Sequence, residues 1–98
     1  MMIVGVCSFE LHLPGSRSLK DKRRVVKSLV DRIHQRFRVS VAETDFHDLH
    51  QRAEISVAAV TNGESEMESL MEEIRSLADR EPEAFLTRWD PQILEGTQ

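Results

Sequence analysis

Two segments with helical periodicity, set among four that alternate, predict an α+β sandwich for this 98-residue chain. Pro14-Gly15 and Asn62-Gly63 each separate a strand from a helix, so the order reads β-α-β-β-α-β. Each βαβ half requires a right-handed crossover. The two halves then interleave into one four-stranded antiparallel sheet with both helices on one face. That arrangement is the ferredoxin-like sandwich. Residues 1–90 are expected to form this single domain, and residues 91–98 a C-terminal tail.

The first strand is expected over Met2 to Leu13. Ile3, Gly5, Cys7, Phe9, Leu11 and Leu13 alternate with Val4, Val6, Ser8, Glu10 and His12, and the first set reads as the core face. Pro14-Gly15 ends it. A long amphipathic helix follows, within Arg17 to Arg38. Ser18 is its expected cap, with Asp21 completing a capping-box-like pair. Leu19, Val26, Val30, Ile33 and Phe37 form the apolar stripe, flanked by Val25 and Leu29. Val39 to Thr44 and Ala53 to Thr61 are expected strands, joined by a polar connection from Asp45 to Gln51. In the second of these, Ile55, Val57 and Ala59 oppose Glu54, Ser56, Ala58 and Val60. Ser65 and Glu68 suggest a capping box for the second helix, whose stripe is Met67, Leu70, Met71, Ile74, Leu77 and Ala78. Pro82 closes that helix by about Glu81. Ala84 to Asp90 is the last strand, with Phe85, Thr87 and Trp89 opposite Leu86 and Arg88.

Charge is polarised along the chain. The net charge is −4, yet nine of the 13 Lys and Arg residues lie in the first helical segment: Arg17, Lys20, Lys22, Arg23, Arg24, Lys27, Arg32, Arg36 and Arg38. Asp21 and Asp31 are the only acids there. Glu64, Glu66, Glu68, Glu72, Glu73, Asp79, Glu81 and Glu83 gather later. Cations in a first helical turn oppose the macrodipole by up to about 1 kcal/mol each. They also strengthen the attraction of a helix N-terminus for anions. Arg17, Lys20, Lys22, Arg23, Arg24 and Lys27 are therefore the expected polyanion-binding residues. The plainer reading of the same run is a solvated face of good helix formers.

Other chemistry is thin. One cysteine, Cys7, excludes an internal disulfide and a cysteine metal cluster, and fits a reducing compartment. No apolar run reaches the ~20 residues of a membrane helix, and MMIVGVCSFELHLP lacks the basic start of a signal peptide. A cytoplasmic protein is expected, without a membrane or DNA partner. Glu43, Asp45, His47, Asp48 and His50 are metal-ligand types, but His residues at i,i+3 in a loop are a weak signal. No metal or cofactor is assigned. Glu10 and His12 share a strand face and have acid–base chemistry, but no nucleophile accompanies them. Arg52 has a candidate partner in Glu43 or Asp45 across the hairpin. No catalytic set is assigned and no enzyme is expected. The segments Ile3 to Ser8 and Ala53 to Val60 carry no aromatic, which speaks against reading RNA by base stacking on the two central strands.

The sheet face away from the helices has nothing in the chain to cover it. Val4 and Val6, or Ala58 and Val60, would stand on it according to register. An apolar patch on an open sheet suggests a homodimer.

ELHLPGSRSLKDKRRVVKSLVDRI (Glu10 to Ile33), RFRVSVAE (Arg36 to Glu43) and DLHQRAEISVAAV (Asp48 to Val60) resemble the small bacterial YlxP-like family, the domain of unknown function 503. SLKDKRR (Ser18 to Arg24) and DLHQRA (Asp48 to Ala53) are the most specific blocks. His50 stands where the family would have Trp or another large residue, and Ser56 where Gly is common. The resemblance implies a ferredoxin-like fold and a cytosolic protein of undetermined activity. Its members tend to be encoded beside translation-initiation and small-subunit maturation factors, which implies an RNA or ribosome partner. Together with the basic helix, this leads to an expected RNA- or ribosome-associated accessory factor. The alternative is a protein-interaction or self-assembling module without catalytic activity.

Overall fold

The computed structural model describes residues 1–94. Six elements follow in the expected order: β1 (Ile3–His12), α1 (Leu19–Arg36), β2 (Ser40–Asp45), β3 (Arg52–Thr61), α2 (Glu64–Asp79) and β4 (Phe85–Leu94). The strands lie in the order β2-β3-β1-β4, with every neighbouring pair antiparallel. This is the ferredoxin-like sandwich.

The β1 alternation puts Ile3, Cys7, Phe9, Leu11 and Leu13 into the core. Gly5 stands in the same row because α2 crosses there. A Cβ on Gly5 would lie 2.9 Å from both Cγ and Cε of Met67, which is itself fully buried. From β3, Ala53, Ile55, Val57 and Ala59 face the same way. Phe9 packs against Trp89 of β4, with ring centroids 5.4 Å apart.

Helix α1 starts as its sequence dictates. The Ser18 hydroxyl accepts from the Asp21 N–H at 3.1 Å, and the Asp21 carboxylate accepts from the Arg17 N–H at 3.0 Å. The buried stripe differs from expectation. It runs through Lys22, Val25, Val26, Leu29 and Ile33, while Leu19 and Val30 lie at its margins. Positions 22, 26, 29 and 33 are helically spaced, so Lys22 occupies a core position. Helix α2 also departs from expectation at its start. Gly63, not Ser65, is the N-cap, with no side-chain cap. The Glu66 carboxylate instead accepts the Asn62 N–H at 3.2 Å.

β4 is longer than its pattern suggests. Pro91 to Leu94 continue the strand, so the tail expected from Pro91 is corrected to that extent, and residues 95–98 lie outside the described ones. Pro91 is tolerated because β4 is an edge strand. The register against β1 shifts between Glu10 and Leu11. Thr87 is the extra residue there, and its hydroxyl donates to the Glu10 carbonyl at 3.2 Å. The bulge reverses the alternation. Leu86 and Trp89 face the core, and Phe85 joins Arg88 on the open face.

Candidate functional site

Of the six expected polyanion-binding residues, Lys22 does not belong to the surface. Its side chain is fully buried. The ammonium donates to the Phe46 carbonyl at 2.7 Å, the Arg52 carbonyl at 3.3 Å and, more weakly, the His47 carbonyl at 3.5 Å. Glu43 Oε2 stands 3.0 Å away, without hydrogen-bond alignment. Glu43 reaches it because it alternates with Ala42 and Thr44 and so faces the helices. Lys22 thus ties α1 to both ends of the β2–β3 connection. Its spacing to Val25, Val26 and Leu29 was the available sequence signal.

Arg24 and Lys27 stay exposed but have partners. Arg24 grips Glu83 through two bonds, of 2.9 and 3.2 Å, and Lys27 meets Asp31 at 2.7 Å. Farther along α1, Arg32 pairs with Glu81 at 2.7 Å, and Arg36 approaches Glu73 at 3.9 Å. The Arg24, Lys27 and Arg36 pairs are exposed and contribute about 0–1 kcal/mol each, so they neutralise charge more than they hold the fold, whereas Glu81 is buried and Arg32 is its counter-ion. Arg17, Lys20 and Arg23 are exposed and enter no ion pair among the described residues. The helix terminus itself offers an anion less than the sequence implied. Asp21 already sits at the first turn as its negative partner.

The open sheet face divides into two halves. At one end, the β1–β3 register places Val4 beside Val60 and Val6 beside Ala58, and Leu94 of β4 pairs with Val4. Both expected pairs therefore stand there together, with Val60 62 % exposed. At the other end, Glu10 is held between two guanidiniums. Arg52 donates to Oε1 from Nη2 at 2.7 Å and from Nε at 3.0 Å, and Arg88 donates to Oε2 at 3.3 Å. The Arg52 hydrogen bonds, ahead of those from Arg88, hold the Glu10 carboxyl below its ordinary pKa. Glu10 is thus an ionised structural partner rather than a poised acid. Arg52 does not take Glu43 or Asp45. Its guanidinium lies 3.7 Å from the Phe46 ring centroid. Between the halves, the Ser8 and Ser56 hydroxyls meet at 2.8 Å, and Thr44 joins Ser56 at 2.7 Å.

The remaining candidates are quieter. Cys7 is buried in the core, and burial pushes its thiol up to about 11. His47 Nε2 lies 3.3 Å from the Glu43 carbonyl. Among the described residues, no three His, Cys, Asp or Glu side chains converge as metal ligands. No helix of the described residues is long and apolar enough to cross a membrane.

Fold and surface together define a small ferredoxin-like α+β domain with a buried lysine clamp and one sheet face that nothing covers among the described residues. The chain matches the family described as Protein of unknown function (DUF503) over residues 4–90. It is also 30 % identical over 81 residues to the uncharacterized protein YlxP of Bacillus subtilis (strain 168), covering 83 % of this chain and 88 % of that protein. The chain belongs to the DUF503 family. Among solved structures, it is similar to a de novo designed protein with a ferredoxin fold, LFR1 1, solved in solution by NMR. The TM-score is 0.53 at 14 % identity, covering all of this chain and 89 % of that one. That likeness concerns the fold alone.

Proposed function

We propose that this protein is an RNA- or ribosome-associated accessory factor without catalytic activity. In this reading it binds phosphates through the exposed start of α1. The observation that carries the proposal is the set Arg17, Lys20 and Arg23, exposed and outside every ion pair among the described residues. Arg24 and Lys27 stand beside them in exposed pairs weak enough to exchange a carboxylate for a phosphate. Lys22 is not part of the surface. It keeps the neighbouring connection in place.

Contact with phosphates makes affinity fall steeply with salt, by roughly 0.7 in the log–log slope per contact to a single strand. The test is fluorescence anisotropy with a labelled RNA 12-mer across a salt series. Changing Arg17, Lys20 and Arg23 all to Glu lowers that slope by roughly 2 and abolishes retention near physiological salt. A triple variant that binds as the unaltered protein does refutes the proposal.

A second reading, self-association, is favoured by the apolar half of the sheet face, where Val4, Val6, Ala58, Val60 and Leu94 stand together. Light scattering across a concentration series checks it. A dimer mass that Val60→Lys converts to a monomer supports it, and a monomer mass at high micromolar concentration refutes it.

A further inference from the structure

A single row of flat side chains crosses the loop end of the open sheet face. Phe85 of β4 pairs with His12 of β1, and His12 pairs with Arg52 of β3. Directly paired residues on neighbouring strands share a face. By register the three leave neighbouring strands on the same face, over two strand spacings or roughly 10 Å, and Phe85 also borders a hollow beside Leu13, Arg24 and Glu83 at the start of α1. The Phe46 ring, stacked on the Arg52 guanidinium, extends the row beyond β3. Phe85 is 63 % exposed, and the Arg52 side chain is half exposed. Beside His12 and Arg52 lies a hollow of about 320 Å³, bounded by Asp48, Leu49, His50 and Gln51. This is at the small end of ligand-binding clefts.

Phenyl, imidazole and guanidinium planes have one ligand chemistry in common. They stack on the faces of unpaired nucleobases. Glu10 is held by both arginines and Asp90 by Arg88 at 3.2 Å, while Glu54 accepts from the Thr44 hydroxyl; Asp48, on the rim of the hollow, is exposed and has no cationic partner among the described residues. The row also adjoins the cations of α1. Gln51 Nε2 donates to the Ser16 carbonyl at 3.2 Å and, at 3.4 Å, to that of Pro14, which joins the β2–β3 connection to the turn before α1. Arg17 and Lys20 follow directly in the chain.

We infer that the row Phe85, His12, Arg52 and Phe46 stacks on unpaired bases of a single-stranded RNA whose phosphates run onto the start of α1. The inference rests on the RNA reading above and names its substrate class. It predicts preference for single strands, because bases in a duplex present no free faces.

The test is anisotropy with the full chain, a labelled single-stranded RNA 12-mer, and the same 12-mer in a duplex, at low salt. Single-stranded RNA binds at least tenfold more tightly than duplex. Phe85→Ala, at an exposed position, weakens single-strand binding roughly five- to a hundredfold, as loss of one stacked base does. It leaves the salt slope and the thermal midpoint unchanged. His12→Ala acts in the same direction. Equal affinity for single strand and duplex overturns the inference, as does a Phe85→Ala variant that binds like the unaltered protein. If the α1 triple variant still loses binding in that case, phosphate binding by α1 stands and only the stacking row falls. If no RNA is retained at all, as for a surface that takes a protein partner instead, both readings fall.

Discussion

Replacing Lys22 by Met removes a charge from the core without leaving a hole. It also strands the partners of the ammonium. The Phe46 and Arg52 carbonyls lose their bonds of 2.7 and 3.3 Å, and Glu43 keeps a carboxylate with no cation beside it. Removing one member of a buried pair costs roughly 3–5 kcal/mol. A domain of this size is stabilised by roughly 5–15 kcal/mol in total, so much of the margin is lost. The midpoint falls by roughly 12–40 °C, at about 4–8 °C per kcal/mol. Urea unfolding followed by Trp89 fluorescence and circular dichroism measures it. The double variant Lys22→Met, Glu43→Met recovers part of the loss, because no unpaired carboxylate remains. Loss of the ammonium keeps it below the unaltered protein by about 1–3 kcal/mol, because the Arg52 carbonyl loses that donor while the Phe46 carbonyl retains only its bond from the Leu49 N–H. The coupling energy from the cycle is roughly 1–3 kcal/mol. Amide exchange sharpens the test, because Leu49 N–H bonds the Phe46 carbonyl at 3.0 Å within the clamped connection and loses protection when the clamp goes. A Lys22→Met protein within about 1 kcal/mol of the unaltered one refutes the clamp.

Three further outcomes follow from the same packing. The Glu10 carboxyl is held below its ordinary pKa by Arg52 first and Arg88 second, so its contribution is complete above the unfolded value near 4.5 and disappears as pH falls through the lower folded value; both arginines are half exposed, so Glu10→Gln costs about 1 kcal/mol at pH 7 and flattens the acid limb of the stability–pH curve, and an unchanged acid limb counts against the pair. Gly5→Ala drives a methyl into the Met67 side chain and destabilises by about 1–3 kcal/mol, while pairing it with Met67→Ala costs less than the sum of the two, as thermal melts would show; strict additivity contradicts the contact. Cys7, its thiol pushed up to about 11 by burial, reacts with a thiol reagent at pH 8 only as fast as the protein unfolds, and prompt labelling of the folded chain argues against a core position.

Much of the fold was legible because its signals are local. Alternation in Ile3 to Leu13 placed the core face of β1 correctly, and Ser18 with Asp21 marked the start of α1. One misplaced detail has a local cause and another a contact between distant residues. Glu66 reaching back to Asn62 moved the start of α2 forward. The β1–β4 bulge, whose extra residue Thr87 bonds the Glu10 carbonyl, reversed the faces of Phe85 and Leu86. Pro91 reads as a strand breaker in isolation, but an edge position has a side where its missing N–H is not required.

The candidate site shows the same division more sharply. Amino-acid order alone determined the family, the two amphipathic helices and the gathering of cations on α1, because periodicity and composition are written along the chain. Only the tertiary structure decided what those cations do. It buried Lys22 against Glu43 and two carbonyls, paired Arg24 with Glu83, and left Arg17, Lys20 and Arg23 free of ion pairs among the described residues. It likewise brought Phe85, His12, Arg52 and Phe46 into one row from the ends of three strands and a connection, residues up to 73 positions apart. A charge's partner and a ring's neighbour are set by strand register and by the direction in which a side chain leaves the backbone. Neither quantity has a period that the linear order can display.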